Sequence, residues 1–266
     1  MTDAAFEQSR DFVQSLARGL AVLRCVSANG ASATLPEIAS RSGLSRAATR
    51  RLVLTLEHLG YLRANGREYA LSPRVLELGY GFLGGRNVTD LAQPYMERLA
   101  HQVNESCSMA VLDGQSIVYV ARVPVRKVMT VTLAVGARLP AFCTSMGRAL
   151  LSGLSTTDLE RWLQDCAPVA RTNRTVTDRA RLRQIMLGVQ RDGYAWVEQE
   201  LEIGLCSLAV PVHDRSQRVV AALNLGMPFQ PDARRHAMTK ILPELTTTAK
   251  AIEAVLPSAW LPPVSA

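Results

Sequence analysis

The sequence predicts a two-domain protein: an N-terminal all-α-plus-wing winged helix-turn-helix domain, then a C-terminal α+β domain on an antiparallel sheet. Residues 35–71 have the pattern of a helix, a tight turn, an arginine-rich helix and a hairpin. From Cys107 onward, short β-rich runs bracket helical stretches, as in α+β domains. A chain of 266 residues is long enough to bury two separate cores.

Local signals specify the helices of the N-terminal domain. Pro36 suits a first helical position, because its fixed φ fits the helix and its missing amide is not needed there. Gly43 permits a left-handed turn, and Ser45 can cap the following helix. Leu52, Leu56 and Leu59 in that helix recur at helical spacing for burial, and a first helix from about residue 15 completes the core.

Polar and basic side chains crowd the first turns of this second helix, and we expect them to face DNA: Ser45, Arg46, Thr49, Arg50 and Arg51. The N-terminal end of a recognition helix meets base edges, where arginine can bind guanine bidentately. The alternative interpretation is an ordinary solvated helix face.

A predicted wing favours the DNA interpretation. Asn65-Gly66 lies between short apolar-polar runs, which is a strong hairpin signal, and we expect Arg67 and Tyr69 on this wing to lie at the DNA. Residues 35–74 contain seven arginines, no lysine and three acids, so this segment carries about four positive charges. This positive charge suits binding to the negatively charged phosphates of DNA.

Later elements follow from periodicity, capping and turn signals. We predict helices over 90–104, from 147, over 158–165, over 178–191 with Thr177 as cap, and over 232–256; β-runs over 108–112, 117–123, 129–135, 207–213 and 218–226; and a hairpin turn at Asp113-Gly114. The predicted organisation is a disordered N-terminus (1–12), a winged domain (13–72), a linker helix (73–88), an effector domain (89–257) and a C-terminal tail (258–266).

Composition narrows the class of protein. The net charge is +7, and 27 of the 30 basic residues are arginine, which favours a partner bearing phosphate or carboxylate. No apolar run reaches the roughly 20 residues needed to cross a bilayer, and the N-terminus lacks a signal core, so we expect a cytoplasmic protein. Five cysteines without a CxxC pair and four scattered histidines predict reduced thiols, no metal site and no cofactor.

Three segments together resemble the IclR-type bacterial transcriptional regulators: SLARGLAVLRCVS, LPEIASRSGLSRAATRRLVLTLEHLGYL, and GYAWVEQELEIGLCSLAVPV followed by AALNLG. The stretches FVQSLARGL and VGARLPAFCTSMGRALL further resemble the subgroup that governs protocatechuate and 4-hydroxybenzoate breakdown by the β-ketoadipate route. The resemblance implies a GAF-like C-terminal domain that binds a small organic acid, and dimers or tetramers acting on palindromic operators.

The resemblance also implies an effector site. At a helix start, the free amides of Thr144-Ser145-Met146-Gly147 suit a carboxylate. By resemblance, Ser145 and Met146 make backbone contacts to the effector, while Ser207, Asn224 and Gly226 close the pocket from the opposing strands. Some members of the family have a cysteine and two serines where this chain has Ser207, Asn224 and Gly226. An acidic residue of those members is replaced by Val197. That disfavours a glyoxylate-like effector and suits a ring-sized one.

Arginines near this region are candidate carboxylate clamps: Arg122, Arg138 and Arg148. For each one alone, a surface or interdomain salt bridge is the favoured interpretation. Strand alternation leaves open whether Arg122 points inward or outward. A basic stretch over 171–191 is interpreted as a solvated helix face, with a subunit contact as the alternative.

We therefore expect a non-enzymatic, ligand-responsive activator of an aromatic-acid catabolic operon. Its expected effectors are protocatechuate, 4-hydroxybenzoate or β-ketoadipate, and RNA polymerase is a partner if it activates. Alternatives are a repressor that senses another organic acid, a basic architectural DNA-binding protein, and a thiol redox enzyme using Cys107, Cys143 and Cys206. The redox alternative lacks a histidine near these cysteines in sequence.

Overall fold

The computed structural model describes residues 6–27, 32–78, 88–125 and 134–256. The chain divides into two compact units, Met1–Gly85 and Arg86–Ala266. Three predicted segments lie partly or wholly outside the described residues: the disordered N-terminus up to residue 5, the linker helix over residues 79–87, and the tail from residue 258.

The N-terminal unit is a helical core with a small sheet. Its elements are α1 (Gln14–Ser27), β1 (Ala33–Thr34), α2 (Leu35–Ser42), α3 (Arg46–His58), β2 (Leu62–Asn65) and β3 (Glu68–Leu71). The three strands pair antiparallel in the order β1-β3-β2. The sequence predicts the β2–β3 hairpin, whereas the two-residue strand β1 is too short to leave a periodic signal.

The helix-turn-helix is capped at each junction. Thr34 and Glu37 form a capping box at the start of α2, and hydrogen bonds from the Thr34 backbone and side chain lower the pKa of Glu37. Gly43 ends α2 in the left-handed region at φ 67°, where a Cβ would be strained. Ser45 Oγ then accepts from Ala48 N at 3.3 Å and starts α3.

The C-terminal unit is a six-stranded antiparallel sheet between two helical layers. Its elements are α4 (Val88–Val103), β4 (Ser106–Asp113), β5 (Ser116–Val123), β6 (Arg138–Pro140), α5 (Ser145–Leu151), α6 (Thr156–Asp165), α7 (Arg179–Asp192), β7 (Ala195–Glu198), β8 (Leu205–His213), β9 (Val219–Pro228), α8 (Ala233–His236) and α9 (Leu242–Val255). The strand order is β6-β5-β4-β9-β8-β7.

The two faces of this sheet bury different cores. One face packs against α4 and α9 and includes Met109, Leu208 and Leu223. The other face packs against α5, α6 and α7 and includes Tyr119 and Ala222. Because side chains alternate along a strand, neighbouring residues of β8 and of β9 fall into different cores.

Two details differ from the predictions, and one predicted β-run lies mostly outside the described residues. Asp178, not Thr177, caps α7, and its carboxylate accepts from Arg181 N at 2.7 Å. The predicted helix over 232–256 is interrupted by a π-helical turn, Ala237–Ile241, before Pro243, which has no amide to continue the regular ladder. The predicted β-run over 129–135 lies outside the described residues up to residue 133.

Within the described ranges, no helix is both long and apolar enough to span a membrane.

Candidate functional site

The first candidate site is the exposed start of α3. Ser45, Arg46, Arg50 and Arg51 are all exposed there. Arg46 and Arg50 are four residues apart and so share one helix face, whereas Arg51 lies about 100° further round the axis. Two guanidinium groups therefore project side by side from the end of a helix that can enter a major groove.

Thr49 does not belong to this exposed set. Its side chain is fully buried, and its hydroxyl donates to Ser45 O at 3.0 Å. With Val53, four residues later, it forms the inner stripe of α3 against the core. The expectation that Thr49 contacts DNA is therefore corrected: the residue packs within the domain.

The wing presents two arginines. Arg67 is exposed beside the turn at Gly66, where φ is 63°. Tyr69 is only half-buried and packs against the core of the domain, so its ring is partly committed to packing. Sequence reasoning missed Arg63 on β2, which is also exposed. Its alternation with the buried Leu62 is the signal that could have identified it.

The second candidate site is a pocket in the C-terminal unit, with about 640 Å³ of empty space including its mouth. Its floor is the sheet face that carries Tyr119, its roof is the segment that leads into α5, and one wall is the β7–β8 loop. The lining residues are Ser106, Ser108, Tyr119, Arg122, Cys143, Thr144, Ser145, Met146, Val197, Leu201, Leu205, Ser207, Asn224 and Gly226.

Most of the predicted effector residues line this pocket, namely Arg122, Thr144, Ser145, Met146, Ser207, Asn224 and Gly226. Gly147 does not line it. Its amide donates to Thr144 Oγ1 at 3.2 Å, and a Cβ there would lie 2.1 Å from Ala141 O. Gly147 therefore permits a close backbone approach rather than a ligand contact.

A bulge directs Arg122 into the pocket. Met109 pairs with Ala121 and the next residue of β4, Ala110, pairs with Tyr119, which leaves Val120 as an extra residue in β5. Val120 and Ala121 both pack in the core on the α4 side, so Arg122 returns to the face of Tyr119. Strict alternation would have placed Arg122 and Tyr119 on opposite faces.

The other two arginines are engaged elsewhere. Arg138 is exposed, forms an ion pair with Asp113 and lies outside the pocket, so its expected role as an effector clamp is not supported by its position. Arg148 is buried and forms a bidentate ion pair with Glu200. Arg122 is thus the one cationic side chain among the described residues that line the pocket.

Three polar side chains in the pocket differ in their hydrogen bonding to the described residues. Arg122 Nη1 donates to Ser108 Oγ at 3.1 Å. Ser145 is 1 % exposed, and its hydroxyl has no hydrogen-bond partner among the described residues. Asn224 is 8 % exposed, and its side-chain amide makes no hydrogen bond to another described residue. A buried hydroxyl without a partner, as at Ser145, indicates a site that a polar ligand completes.

Burial also suppresses ionisation in the pocket. Burial raises the pKa of Tyr119 to about 12, although the nearby Arg122 acts in the opposite direction. Burial raises the pKa of Cys143 to about 11, and Arg148 partly offsets it. The phenol and the thiol are therefore neutral at physiological pH. Neither side chain supplies a negative charge that would compensate the guanidinium of Arg122.

The cysteines considered for redox chemistry do not share this pocket. Cys143 lines it, but Cys107 and Cys206 lie in the core on the other face of the sheet. Burial raises the pKa of Cys107 and of Cys206 to about 12. A thiolate nucleophile needs the opposite shift, so the geometry does not support the redox alternative.

Sequence reasoning missed five lining residues: Ser106, Ser108, Tyr119, Leu201 and Leu205. The alternating run SCSMA in β4 carries a signal for the two serines, because every second residue of a half-buried strand shares a face. Among the described residues, no group of three or more histidine, cysteine or acidic side chains could hold a metal ion.

Together, the two sites define a DNA-binding regulator with a small-molecule pocket in its second domain. The family model for the bacterial transcriptional regulator IclR C-terminal domain matches residues 81–254, and the model for the IclR helix-turn-helix domain matches residues 15–66. The chain belongs to the IclR family of bacterial transcriptional regulators. The resemblance noted from the sequence and the predicted fold class are thereby confirmed.

Individual relatives are similar over nearly the whole chain. The Pca regulon regulatory protein of Pseudomonas putida is 41% identical over 92% of this chain and 85% of its own length. The p-hydroxybenzoate hydroxylase transcriptional activator of Acinetobacter baylyi is 31% identical over 91% of each chain. An IclR homolog from Microbacterium hydrocarbonoxydans, solved in complex with 4-hydroxybenzoate, is 27% identical with a TM-score of 0.78, covering 90% of this chain and 98% of its own.

Proposed function

We propose that this regulator controls an aromatic-acid catabolic operon and senses a hydroxylated aromatic acid, such as 4-hydroxybenzoate or protocatechuate, in the pocket beneath α5. One observation carries the proposal: among the described residues that line the pocket, one guanidinium, that of Arg122, lies beside hydroxyl groups and faces aliphatic side chains. A fixed cation suits one carboxylate, and apolar walls suit a ring.

The pocket walls support a flat, partly apolar ligand. Met146, Val197, Leu201 and Leu205 supply aliphatic surface around the floor. The hydroxyl of Ser145, which has no hydrogen-bond partner among the described residues, supplies a further polar contact for a small ligand. Two of the relatives described above have names that refer to 4-hydroxybenzoate, which agrees with this chemistry.

At the DNA, we propose that Ser45, Arg46, Arg50 and Arg51 of α3 and Arg67 of the wing contact a palindromic operator. A homodimer or tetramer would match such an operator, because two-fold protein symmetry requires two half-sites. The proposed location is the cytoplasm, where the operator lies. The exposure of these side chains and the positive charge of the four arginines support the DNA contacts.

We favour activation, with RNA polymerase as the partner, because the Acinetobacter baylyi relative is named as an activator. The linker would transmit effector binding to the DNA-binding domains, since a ligand shifts an equilibrium only by its differential affinity for two states. Reporter expression in a deletion strain tests the direction. A rise in target transcription on deletion would identify a repressor instead.

The ligand proposal is tested by binding assays on the full chain with 4-hydroxybenzoate, protocatechuate, benzoate, β-ketoadipate, glyoxylate and pyruvate. A ligand at about a hundred times its dissociation constant adds about 2.7 kcal/mol of stability, a shift of several degrees in Tm. Arg122→Met should abolish the shift. Arg138→Met is the matched control, because Arg138 lies outside the pocket, and should leave the shift unchanged. A response to glyoxylate or pyruvate alone would contradict the aromatic assignment.

A further inference from the structure

The pocket floor contains two rows of residues that cross the sheet. The first, which we call the charged row, is Arg122, Ser108 and Asn224: Ser108 on β4 pairs with Arg122 on β5 and with Asn224 on β9. All three line the pocket. They therefore lie side by side on three adjacent strands.

The second row, which we call the serine row, is Ser106, Gly226 and Ser207. Gly226 on β9 pairs with Ser106 on β4 and with Ser207 on β8, and all three line the pocket. Ser106 and Gly226 each lie two residues along their strand from a member of the charged row. Two residues of antiparallel strand span about 7 Å, which is comparable with the long dimension of a hydroxybenzoate.

The two rows offer different chemistry. The charged row has a guanidinium beside a hydroxyl, and the side-chain amide of Asn224, which makes no hydrogen bond to another described residue and faces the pocket. The serine row has no cation. Ser106 Oγ accepts from Val125 N at 3.0 Å, so its proton remains free to donate. The hydroxyl of Ser207 makes no hydrogen bond to another described residue.

Gly226 leaves room at the centre of the serine row. A Cβ added there would meet no heavy atom within 4 Å, and its φ is not in the left-handed region. Backbone freedom therefore does not require glycine at this position. What the missing side chain provides is open space in the pocket floor, between two hydroxyl groups.

We infer that the two rows orient the effector, with its carboxylate on the charged row and its ring hydroxyl on the serine row, that Ser207 discriminates among aromatic acids by their ring hydroxyl, and that the open space at Gly226 admits the ring. This inference rests on the proposed function. A second carboxylate on the serine row would lose hydration without gaining a cation, so a linear dicarboxylate fits less well. An unsubstituted benzoate would leave the serine hydroxyls unpaired.

The experiment measures dissociation constants by calorimetry on the full-length protein. The ligands are benzoate, 3-hydroxybenzoate, 4-hydroxybenzoate, 3,4-dihydroxybenzoate and adipate. The variants are Ser207→Ala, Gly226→Ala and Asn224→Ala. The matched control is Gly188→Ala on α7, where an added Cβ also meets open space but lies outside the pocket.

Row-specific losses are the expected result. Ser207→Ala should reduce the preference for 4-hydroxybenzoate over benzoate by about three- to tenfold, the equivalent of one net hydrogen bond, while the affinity for benzoate stays the same. Gly226→Ala should weaken every ring acid because it fills the floor. Asn224→Ala should weaken all the carboxylates by one common factor, and Gly188→Ala should change none of them.

Two results would overturn the orientation. If Ser207→Ala weakens all acids by the same factor, the serine row does not recognise the ring hydroxyl. If Asn224→Ala changes the preference between benzoate and 4-hydroxybenzoate while Ser207→Ala does not, the ligand lies in the reverse direction. Either result leaves the proposed function intact, since aromatic acids still bind. Failure of every aromatic acid to bind the unmodified protein would instead contradict the proposed function itself.

Discussion

Arg148 on α5 and Glu200 after β7 form a bidentate ion pair inside the effector domain, with Nη1–Oε1 and Nη2–Oε2 distances of 2.7 and 2.8 Å. Arg148 Nε also donates to Phe142 O at 3.0 Å, and Glu200 Oε2 accepts from Val176 N at 2.9 Å. The pair therefore joins the turn before α5 to the loop that carries Leu201 into the pocket.

Breaking this pair should be strongly destabilising. Glu200→Gln leaves the buried Arg148 without a counter-charge, and the loss of one partner of a buried pair costs about 3–5 kcal/mol. Urea unfolding of the full chain measures the change. Glu77→Gln, which breaks the exposed pair with Arg74, is the control and should cost at most about 1 kcal/mol. An equal loss of unfolding free energy in the two variants would show that the buried pair stabilises the protein no more than the exposed pair does.

Replacing Arg46 or Arg50 should relax operator specificity. Both are exposed at the start of α3 on one helix face, and a bidentate contact to guanine discriminates by about 1–3 kcal/mol. Alanine at one of them should therefore weaken operator binding by that amount and remove the preference at one base pair. Gel shifts with an operator library measure both effects. Unchanged operator affinity in both variants would rule out this docking of α3.

Arg51 and Arg67 should act differently, through phosphate. Arg51 points away from the face of Arg46, and Arg67 lies on the wing. Alanine at either should weaken all DNA sequences alike and make the dependence of log affinity on log salt shallower by about one. Salt titrations of binding to specific and random DNA test this. A sequence-dependent loss would instead assign these side chains to base recognition.

Local signals allowed the N-terminal unit to be predicted in detail. Gly43, Ser45 and Asn65-Gly66 act on the chain within a few residues, and the turn, cap and hairpin form where they predict. The prediction that Thr49 contacts DNA was wrong because it relied on the surrounding run of arginines and ignored the helical spacing of Thr49 from apolar residues. Thr49 lies four residues before Val53, and that spacing is the signal of the buried stripe.

The pocket was less predictable because it depends on pairing between distant strands. The direction of Arg122 depends on the extra residue Val120 in β5, which only the register against β4 reveals. Likewise, Arg148 is unavailable to a ligand because it pairs with Glu200, which lies 52 residues away in the sequence. The charge pattern of a sequence identifies the candidates, but folding decides which of them retains a free guanidinium.

Gly147→Ala should disrupt the roof of the pocket. A Cβ at this position would lie 2.1 Å from the backbone oxygen of Ala141, so the turn before α5 must move. Overpacking of this kind costs about 1–3 kcal/mol, and effector affinity should fall with it. Thermal unfolding and calorimetry measure the two effects. In the control variant Gly188→Ala, the helix should gain about 0.5–1 kcal/mol, because glycine within a helix is unfavourable.

Alkylation of Cys143 should be slow near neutral pH and sensitive to the effector. Burial raises its pKa to about 11, so the reactive thiolate is scarce at pH 7.5 and its amount rises about tenfold with each pH unit below that pKa. A bound effector should slow the reaction further, because Cys143 lines the pocket. Peptide mass spectrometry after iodoacetamide treatment measures the rate at this residue. Cys166 lies outside the pocket, so its rate should not respond to the effector. Fast modification of Cys143 at pH 7 would mean that the thiol is ionised and that the inferred burial is wrong.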